Sequence, residues 1–147
     1  AVLASMLICE AAAYYKSQGK TLYDVLQELY RKYGYFQEHL ESRTLKGIDG
    51  VEKIRAIMED WRNNPPSAVA GVEVVRVQDY SKGIEGLPAE NVLKFTLADD
   101  SWFCLRPSGT EPKIKVYFAV RGTSGEEASE RISRLTAAVM SRVDGKE

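Results

Sequence analysis

The residues best suited to chemistry lie in one run, Arg106-Pro107-Ser108-Gly109-Thr110-Glu111-Pro112-Lys113-Ile114-Lys115. The guanidinium of Arg106 can donate two parallel, charge-assisted hydrogen bonds to phosphate oxygens. Ser108 and Thr110 add hydroxyl donors, and Gly109 would let the backbone curl so that successive amides converge on one point. The run therefore predicts a phosphate-binding loop, although the same residue types are equally common in a plain turn between two strands.

The elements beside this loop are predicted to be strands. Beyond Pro66 apolar residues alternate with polar ones, a pattern typical of half-buried strands. It predicts an antiparallel meander of four strands at about residues 72–80, 93–97, 102–105 and 113–120, with a tight turn at Asp99-Asp100. The loop joins the third strand to the fourth, whose polar face carries Lys113, Lys115 and Tyr117.

The segments before and after these strands show helical periodicity. A first helix is expected over about residues 2–18, ending at Gly19, and a second runs from a capping box of Thr21 and Asp24 to Gly34. Residues 35–46 fit no single pattern and are consistent with an extended segment. A third helix is expected over about residues 50–62, with Asp49 as its cap and a buried face formed by Val51, Ile54, Met58 and Trp61.

The closing helix begins at a second capping box, Ser124 with Glu127, and its apolar stripe is formed by Ala128, Ile132, Leu135 and Val139. Together these elements predict an α+β protein with a C-terminal four-stranded antiparallel sheet and helices on one face. Asn63-Asn64-Pro65-Pro66 stops the third helix. We therefore expect a domain boundary there, between residues 1–64 and residues 67–147.

Composition excludes several classes of protein. The 147 residues are 44% hydrophobic, which is typical of a globular protein, and 20 basic against 21 acidic residues give a net charge of −1. Such a chain has no global field for nucleic acid or an anionic membrane, and no apolar run reaches the length of a membrane span. Cys9 and Cys104 fit no metal or redox spacing, so we expect buried thiols and a cytoplasmic protein.

Two further kinds of site are not expected. His39 is the only histidine and has no nearby nucleophile or metal partner in the sequence, so an ordinary polar role is favoured. A magnesium site needs several converging oxygen ligands, and no Asp-x-Asp-x-Asp pattern is present. We therefore predict no metal site in this chain.

The run from Arg106 to Lys115 closely resembles the phosphate-binding loop of the last domain of the α-D-phosphohexomutases, the phosphoglucomutase and phosphomannomutase family. Residues Ile8 to Gly34, with Cys9-Glu10-Ala11-Ala12-Ala13-Tyr14-Tyr15, resemble the closing helices of the third domain in the phosphoglucomutase branch. The resemblance covers nearly the whole chain. It implies that residues 1–64 end an α/β third domain and that the four-stranded sheet is similar to half of a TATA-binding protein.

The resemblance also implies site residues. Arg106, Ser108, Gly109 and Thr110 match the phosphate-gripping positions, and Lys115 stands where many relatives have an arginine. Lys113 is a secondary candidate, because a lysine at the start of a strand is more often a solvated edge charge. No catalytic residue is expected in this chain, since none of its serines lies in the Thr-Ala-Ser-His-Asn-Pro context of the family's phosphoserine.

Enzymes of this family interconvert hexose 1-phosphate and hexose 6-phosphate through that phosphoserine and a bisphosphorylated sugar, with the help of Mg²⁺. The resemblance therefore implies a hexose phosphate substrate, Mg²⁺ and a sugar bisphosphate for the parent enzyme, and N-terminal domains of the same enzyme as partners. The chain itself is expected to be an inactive piece of that enzyme. A stand-alone module that binds phosphate or a sugar phosphate stays open as an alternative, whereas a nucleic-acid binder is disfavoured by the near-neutral charge.

Overall fold

The computed structural model describes residues 1–47, 49–84 and 86–145. These residues form four helices and six strands: α1 Val2–Ser17, α2 Leu22–Tyr33, β1 Tyr35–Thr44, α3 Gly50–Asn63, β2 Ala68–Val69, β3 Val72–Asp79, β4 Leu93–Leu97, β5 Trp102–Pro107, β6 Lys113–Gly122 and α4 Gly125–Val143. A 3₁₀ turn, Tyr80–Lys82, follows β3. The chain divides into two compact units, Ala1–Tyr35 and Phe36–Glu147.

The first unit consists of α1 and α2, and its local signals are confirmed. The Asp24 amide donates to Thr21 Oγ1 at 3.2 Å and the Thr21 amide donates to the Asp24 carboxylate at 2.8 Å, which completes the capping box. Gly19 and Gly34, which follow the two helices, both have positive φ angles. The expected burial of Cys9 is wrong, because it lies on α1, a helix with no buried residue.

The second unit is built on the sheet, whose strand order is β1-β6-β5-β4-β3-β2. The four pairs β2–β3, β3–β4, β4–β5 and β5–β6 are antiparallel. The expected four-strand meander corresponds to β3–β6, so the α+β class is confirmed, but the strand number is corrected from four to six. The unassigned segment after residue 34 forms β1 beside β6, and the two-residue β2 pairs with the start of β3.

One face of the sheet carries the core. Alternate residues of β4, β5 and β6 are at most 2% exposed: Leu93, Phe95, Leu97, Phe103, Leu105, Ile114, Val116, Phe118 and Val120. Helices α3 and α4 pack on this face. The Trp61 ring meets Phe95 and Phe103 edge-on, at 5.4 and 5.5 Å between ring centroids, and those two rings stack at 4.7 Å. The stripe expected for α4 is buried in full.

Helix α3 departs from expectation at its start. Asp49 makes no side-chain cap and instead pairs with Lys53 at 2.9 Å, one turn along the helix. Val51 is 64% exposed, because Gly50, and not Val51, packs inward at the helix start. Ile54, Met58 and Trp61 are buried as expected.

The expected division between residues 64 and 67 falls inside the second unit. The reason is that α3 is part of its core and is tied to α4 at its end. Arg142 on α4 donates to the Asp60 carboxylate at 2.7 Å and to the Asn64 carbonyl at 2.8 Å. Pro65 and Pro66 thus end a helix without ending the packed unit.

The start of α4 shows half of the expected capping box. The Glu127 amide donates to Ser124 Oγ at 3.1 Å. The Glu127 carboxylate, however, accepts from the amide of Thr123 at 2.7 Å, one residue before the cap. Hydrogen bonds from the Thr123 side chain and backbone, and then from Arg131, lower the pKa of Glu127 to about 2.

Candidate phosphate-binding site

The predicted loop lies between β5 and β6, where strand pairing sets its two leading cations side by side. Arg106 on β5 is directly opposite Lys115 on β6. Opposed residues of an antiparallel pair point to the same face, and both side chains are exposed on the face away from α3 and α4. Their neighbours Leu105 and Val116 are fully buried on the other face. The alternation of the strands therefore fixes both cations toward solvent.

The backbone of the loop is closed by its own hydrogen bonds. The Ser108 amide donates to the Lys113 carbonyl, and the Lys113 amide donates to the Glu111 carbonyl, both at 2.7 Å. Ser108 Oγ accepts from the amides of Thr110 and Glu111 at 3.4 and 3.3 Å. Two successive amides thus converge on one point, which in this structure is the Ser108 hydroxyl, and the proton of that hydroxyl stays available to a ligand.

Gly109 is exposed and does not use the conformational freedom predicted for it. Its φ angle is not among the positive ones, and a Cβ at this position would meet nothing within 4 Å. The fold of the loop alone does not require glycine here. A requirement would come only from a ligand that approaches the backbone closely.

The three cations differ in their surroundings. Lys113 Nζ lies 3.4 Å from the Glu111 carboxylate, so its charge is partly balanced within the loop. Arg106 and Lys115 form no ion pair with any acidic side chain in the described part of the chain. These two residues are therefore the leading anion-binding groups, and Glu111 faces Lys113 rather than Arg106.

An open cleft of about 270 Å³ lies beside the loop. It is lined by Glu90, Arg106, Pro107, Ser108, Gly109, Glu111, Lys113, Lys115 and Tyr117. Five of the six predicted site residues thus meet around one space, whereas Thr110 is exposed on the loop outside this lining. The volume suits a phosphate group with part of the molecule that carries it.

Four lining residues were not among the predicted site residues: Pro107 and Glu111 within the loop, and Tyr117 and Glu90 outside it. Tyr117 follows Lys115 by two positions on the same face of β6, so strand alternation could have found it. Glu90 belongs to the irregular segment before β4, where no periodicity links it to the loop. Only the folded chain brings this carboxylate to the cleft.

The far end of the loop is held by the segment after β1 and by the start of α3. The Leu45 amide donates to the Pro112 carbonyl at 2.9 Å. A Cβ at Gly50 would lie 2.0 Å from the Leu45 carbonyl oxygen and 3.2 Å from Pro112 Cβ, so only glycine fits without a shift. The loop is therefore braced from the core side.

A thiol lies on the same open face. Cys104 is opposite Tyr117 in the strand register and is half-buried. Burial raises the pKa of the Cys104 thiol, although Lys94 and Arg106 act in the opposite direction. The thiol is therefore neutral near pH 7 and is not an activated nucleophile.

Residues 1–47, 49–84 and 86–145 offer neither a cluster of metal ligands nor a membrane-spanning helix. They contain no group of three or more His, Cys, Asp or Glu side chains that could hold a metal ion. None of their helices is long and apolar enough to cross a membrane.

Comparison with known families identifies the second unit. Residues 42–137 match the model of the family described as phosphoglucomutase/phosphomannomutase, C-terminal domain. The matched segment contains the whole loop and every residue that lines the cleft. The chain belongs to this family.

Similarity to curated relatives supports the same family. The chain is 35% identical over 140 residues to phosphoglucomutase from Staphylococcus aureus strain bovine RF122 / ET3-1, covering 88% of this chain. It is 34% identical over 137 residues to phosphoglucomutase from Staphylococcus haemolyticus strain JCSC1435, covering 86% of this chain. The chain spans only 25% of the length of each relative. It thus corresponds to a C-terminal part of such proteins.

A solved structure supports the fold. The open form of the exocytosis-sensitive phosphoprotein pp63/parafusin, a phosphoglucomutase from Paramecium, matches with a TM-score of 0.58 at 14% sequence identity. The match covers 88% of this chain and 25% of that one. At this identity the comparison speaks for the shared fold alone.

Proposed function

We propose that this chain is the substrate-phosphate-binding part of a phosphoglucomutase-type enzyme. The observation that carries the proposal is the register pair Arg106 and Lys115, two exposed cations that form no ion pair with a described residue and face one cleft beside the Ser108 hydroxyl. Membership in the family supports a hexose phosphate as the ligand. In this proposal the cleft holds the phosphate that is not reacting while the other end of the sugar meets a phosphoserine elsewhere in the parent enzyme.

The contribution of this part would be positioning. Arg106 supplies a bidentate charge-assisted contact, Lys115 a second charge, and Ser108 a hydroxyl donor. Binding energy from a remote phosphate orients the reacting hydroxyl and can drive closure over the substrate. The parent would interconvert hexose 1-phosphate and hexose 6-phosphate through a bisphosphorylated sugar, which is also its activator.

The remaining parts of the reaction are proposed for the rest of the parent enzyme. Mg²⁺ would assist phosphoryl transfer there, because the described residues offer no suitable cluster of ligands. The first unit would close the third domain, and strands β3–β6 would be the part that is similar to half of a TATA-binding protein. The partners would be the N-terminal domains of the same enzyme, in the cytoplasm.

A second candidate is a stand-alone module that binds phosphate without catalysis. It is favoured by one observation: the second unit contains both a complete apolar core and the cleft. The two candidates share the phosphate site and differ only in whether the chain works within a longer enzyme.

Titration of the 147-residue chain with glucose 6-phosphate tests the phosphate site. We expect Arg106→Gln to weaken binding about tenfold or more, since it removes a charge-assisted bidentate contact. Lys115→Arg should preserve binding and Lys115→Gln should weaken it. Arg134→Gln on α4 is the control, because it removes an exposed arginine outside the cleft. Equal affinity of all variants would exclude this loop from phosphate binding.

Activity separates the two candidates. The purified chain should show no phosphoglucomutase turnover, and measurable turnover free of longer enzyme would contradict the proposal. In a longer parent enzyme Arg106→Gln is expected to raise KM and lower kcat together.

A further inference from the structure

A second cleft adjoins the phosphate cleft on the open face of the sheet. It measures about 330 Å³ and is lined by Glu38, His39, Leu40, Trp102, Tyr117 and Phe118. Three of these residues, Leu40, Trp102 and Tyr117, have uncharged apolar or aromatic side chains, and Trp102 and Tyr117 are half-buried. The ring of Phe118 is buried in the core on the other face. Tyr117 lines both clefts, so the two spaces meet at its side chain.

The strand register fixes the spacing between the two ends. Lys115 and Tyr117 are two residues apart on one face of β6, roughly 7 Å along the strand. Trp102 lies on the same face of β5, four residues before Arg106 and opposite the small Ala119. The aromatic end thus begins at Tyr117, roughly 7 Å from the cations, and extends to Trp102, roughly 13 Å from Arg106 along β5.

The indole of Trp102 is already engaged by one cation. Lys94 Nζ on β4 lies 4.6 Å from the centroid of this ring. A cation over an aromatic face is an attractive contact, and it holds the ring in place from the β4 side. Toward β6 and β1 the same residue lines the aromatic cleft with Tyr117 and Leu40.

The charges at the two ends are opposite in kind. Three cations, Arg106, Lys113 and Lys115, outnumber the two carboxylates, Glu90 and Glu111, that also line the phosphate cleft. The aromatic cleft has one carboxylate in its lining, that of Glu38. A ligand that fits both would carry a phosphate at one end and an uncharged planar ring with hydrogen-bond donors at the other. Adenine, with its planar ring and exocyclic amine, has this chemistry. A simple hexose phosphate lacks a planar aromatic ring.

We propose that the two clefts together bind a nucleoside 5′-monophosphate with an amino-bearing base, the phosphate between Arg106 and Lys115 and the base against Trp102 and Tyr117. The inference rests on the proposed phosphate site. The nucleotide would occupy that site in competition with a sugar phosphate, and it would therefore inhibit a parent mutase competitively.

The test compares adenosine 5′-monophosphate with ribose 5-phosphate by titration of the 147-residue chain. Stacking of the base is expected to make the nucleotide bind roughly tenfold more tightly. Trp102→Leu should remove most of this advantage and leave ribose 5-phosphate binding unchanged, because Trp102 lines only the aromatic cleft. Arg106→Gln should weaken both ligands.

A second measurement does not depend on a variant. The chain has two tryptophans, and Trp61 is buried in the core, 2% exposed. In a ¹⁵N-labelled sample the indole N–H signal of Trp102 should shift with adenosine 5′-monophosphate and not with ribose 5-phosphate, whereas that of Trp61 should stay in place.

The outcomes separate the two proposals. Equal affinities for the two ligands, or a Trp102 signal that does not move with the nucleotide, would overturn the nucleotide site and leave the phosphate site standing. Ribose 5-phosphate binding that is absent or insensitive to Arg106→Gln would overturn both. Leu40→Ala, a change at a half-exposed residue of β1, provides a milder second variant that should reduce only nucleotide affinity.

Discussion

The two faces of β5 and β6 differ in role: one face packs the core, and the other carries the cations of the phosphate cleft. Leu105, Val116 and Ile114 are fully buried against the helices, whereas Arg106 and Lys115 are exposed at the cleft. On either strand, a core residue and a candidate anion-binding residue are direct neighbours in the sequence. Stability and anion binding can therefore be changed separately here, because strand alternation points the core side chains and the cationic side chains in opposite directions.

The largest loss of stability is expected from a substitution on the buried face of the sheet. Phe103→Ala removes a fully buried ring that stacks on Phe95 and meets Trp61. We expect a loss of about 3–5 kcal/mol of unfolding free energy, measured by urea denaturation. In the fraction that stays folded, glucose 6-phosphate affinity should be unchanged. Arg106→Gln is the matched change on the open face and should alter stability by less than about 0.5 kcal/mol.

A smaller effect is expected where the two faces are coupled. Gly50→Ala would place a Cβ 2.0 Å from the Leu45 carbonyl oxygen, so backbone must move, and such overpacking costs about 1–3 kcal/mol. The movement should reach the loop through Pro112 and weaken phosphate binding as well. Gly109→Ala is the control for stability, because its Cβ would meet nothing within 4 Å. A Gly50→Ala protein as stable as the parent chain would show that the brace is not tight.

The smallest effect is expected at the start of α4, which covers the buried face. Glu127 has its pKa lowered from 4.5 to about 2 in the folded chain, chiefly by hydrogen bonds from Thr123. Its contribution to stability is therefore present above pH 4.5 and is lost as the pH falls from 4.5 toward 2. Glu127→Gln should lower the urea midpoint at pH 7, and the difference should vanish near pH 2.

Glu130→Gln is the control for this pH dependence, since that carboxylate lies 3.9 Å from Arg134 on the exposed side of the same helix. A Glu127→Gln difference that persists unchanged at pH 2 would contradict the assigned cause.

Much of the fold could be predicted because its signals are local. The capping box at Thr21, the alternation of β4 to β6 and the buried stripe of α4 depend on residues within a few positions of one another. The loop was found for the same reason, since its residue types stand in one short run. The position of Arg106 opposite Lys115 follows from a tight connection between paired strands.

The parts that could not be predicted depend on distant residues. In β1 both faces are largely exposed or half-buried, so apolar residues such as Phe36 and Leu40 give no clean alternation. The two prolines after α3 suggested a boundary, but only contacts with the sheet and with Arg142 show that the helix belongs to the second unit. Glu90 reaches the cleft from a segment without regular structure.

The hydrogen bonds inside the loop have a consequence for solution conditions. Because the Thr110 and Glu111 amides donate to Ser108 Oγ, an anion in the cleft would be held mainly by exposed side-chain charges and less by backbone amides. Exposed charges are screened over about 8 Å at physiological ionic strength. Affinity for phosphate should therefore fall steeply as sodium chloride is added.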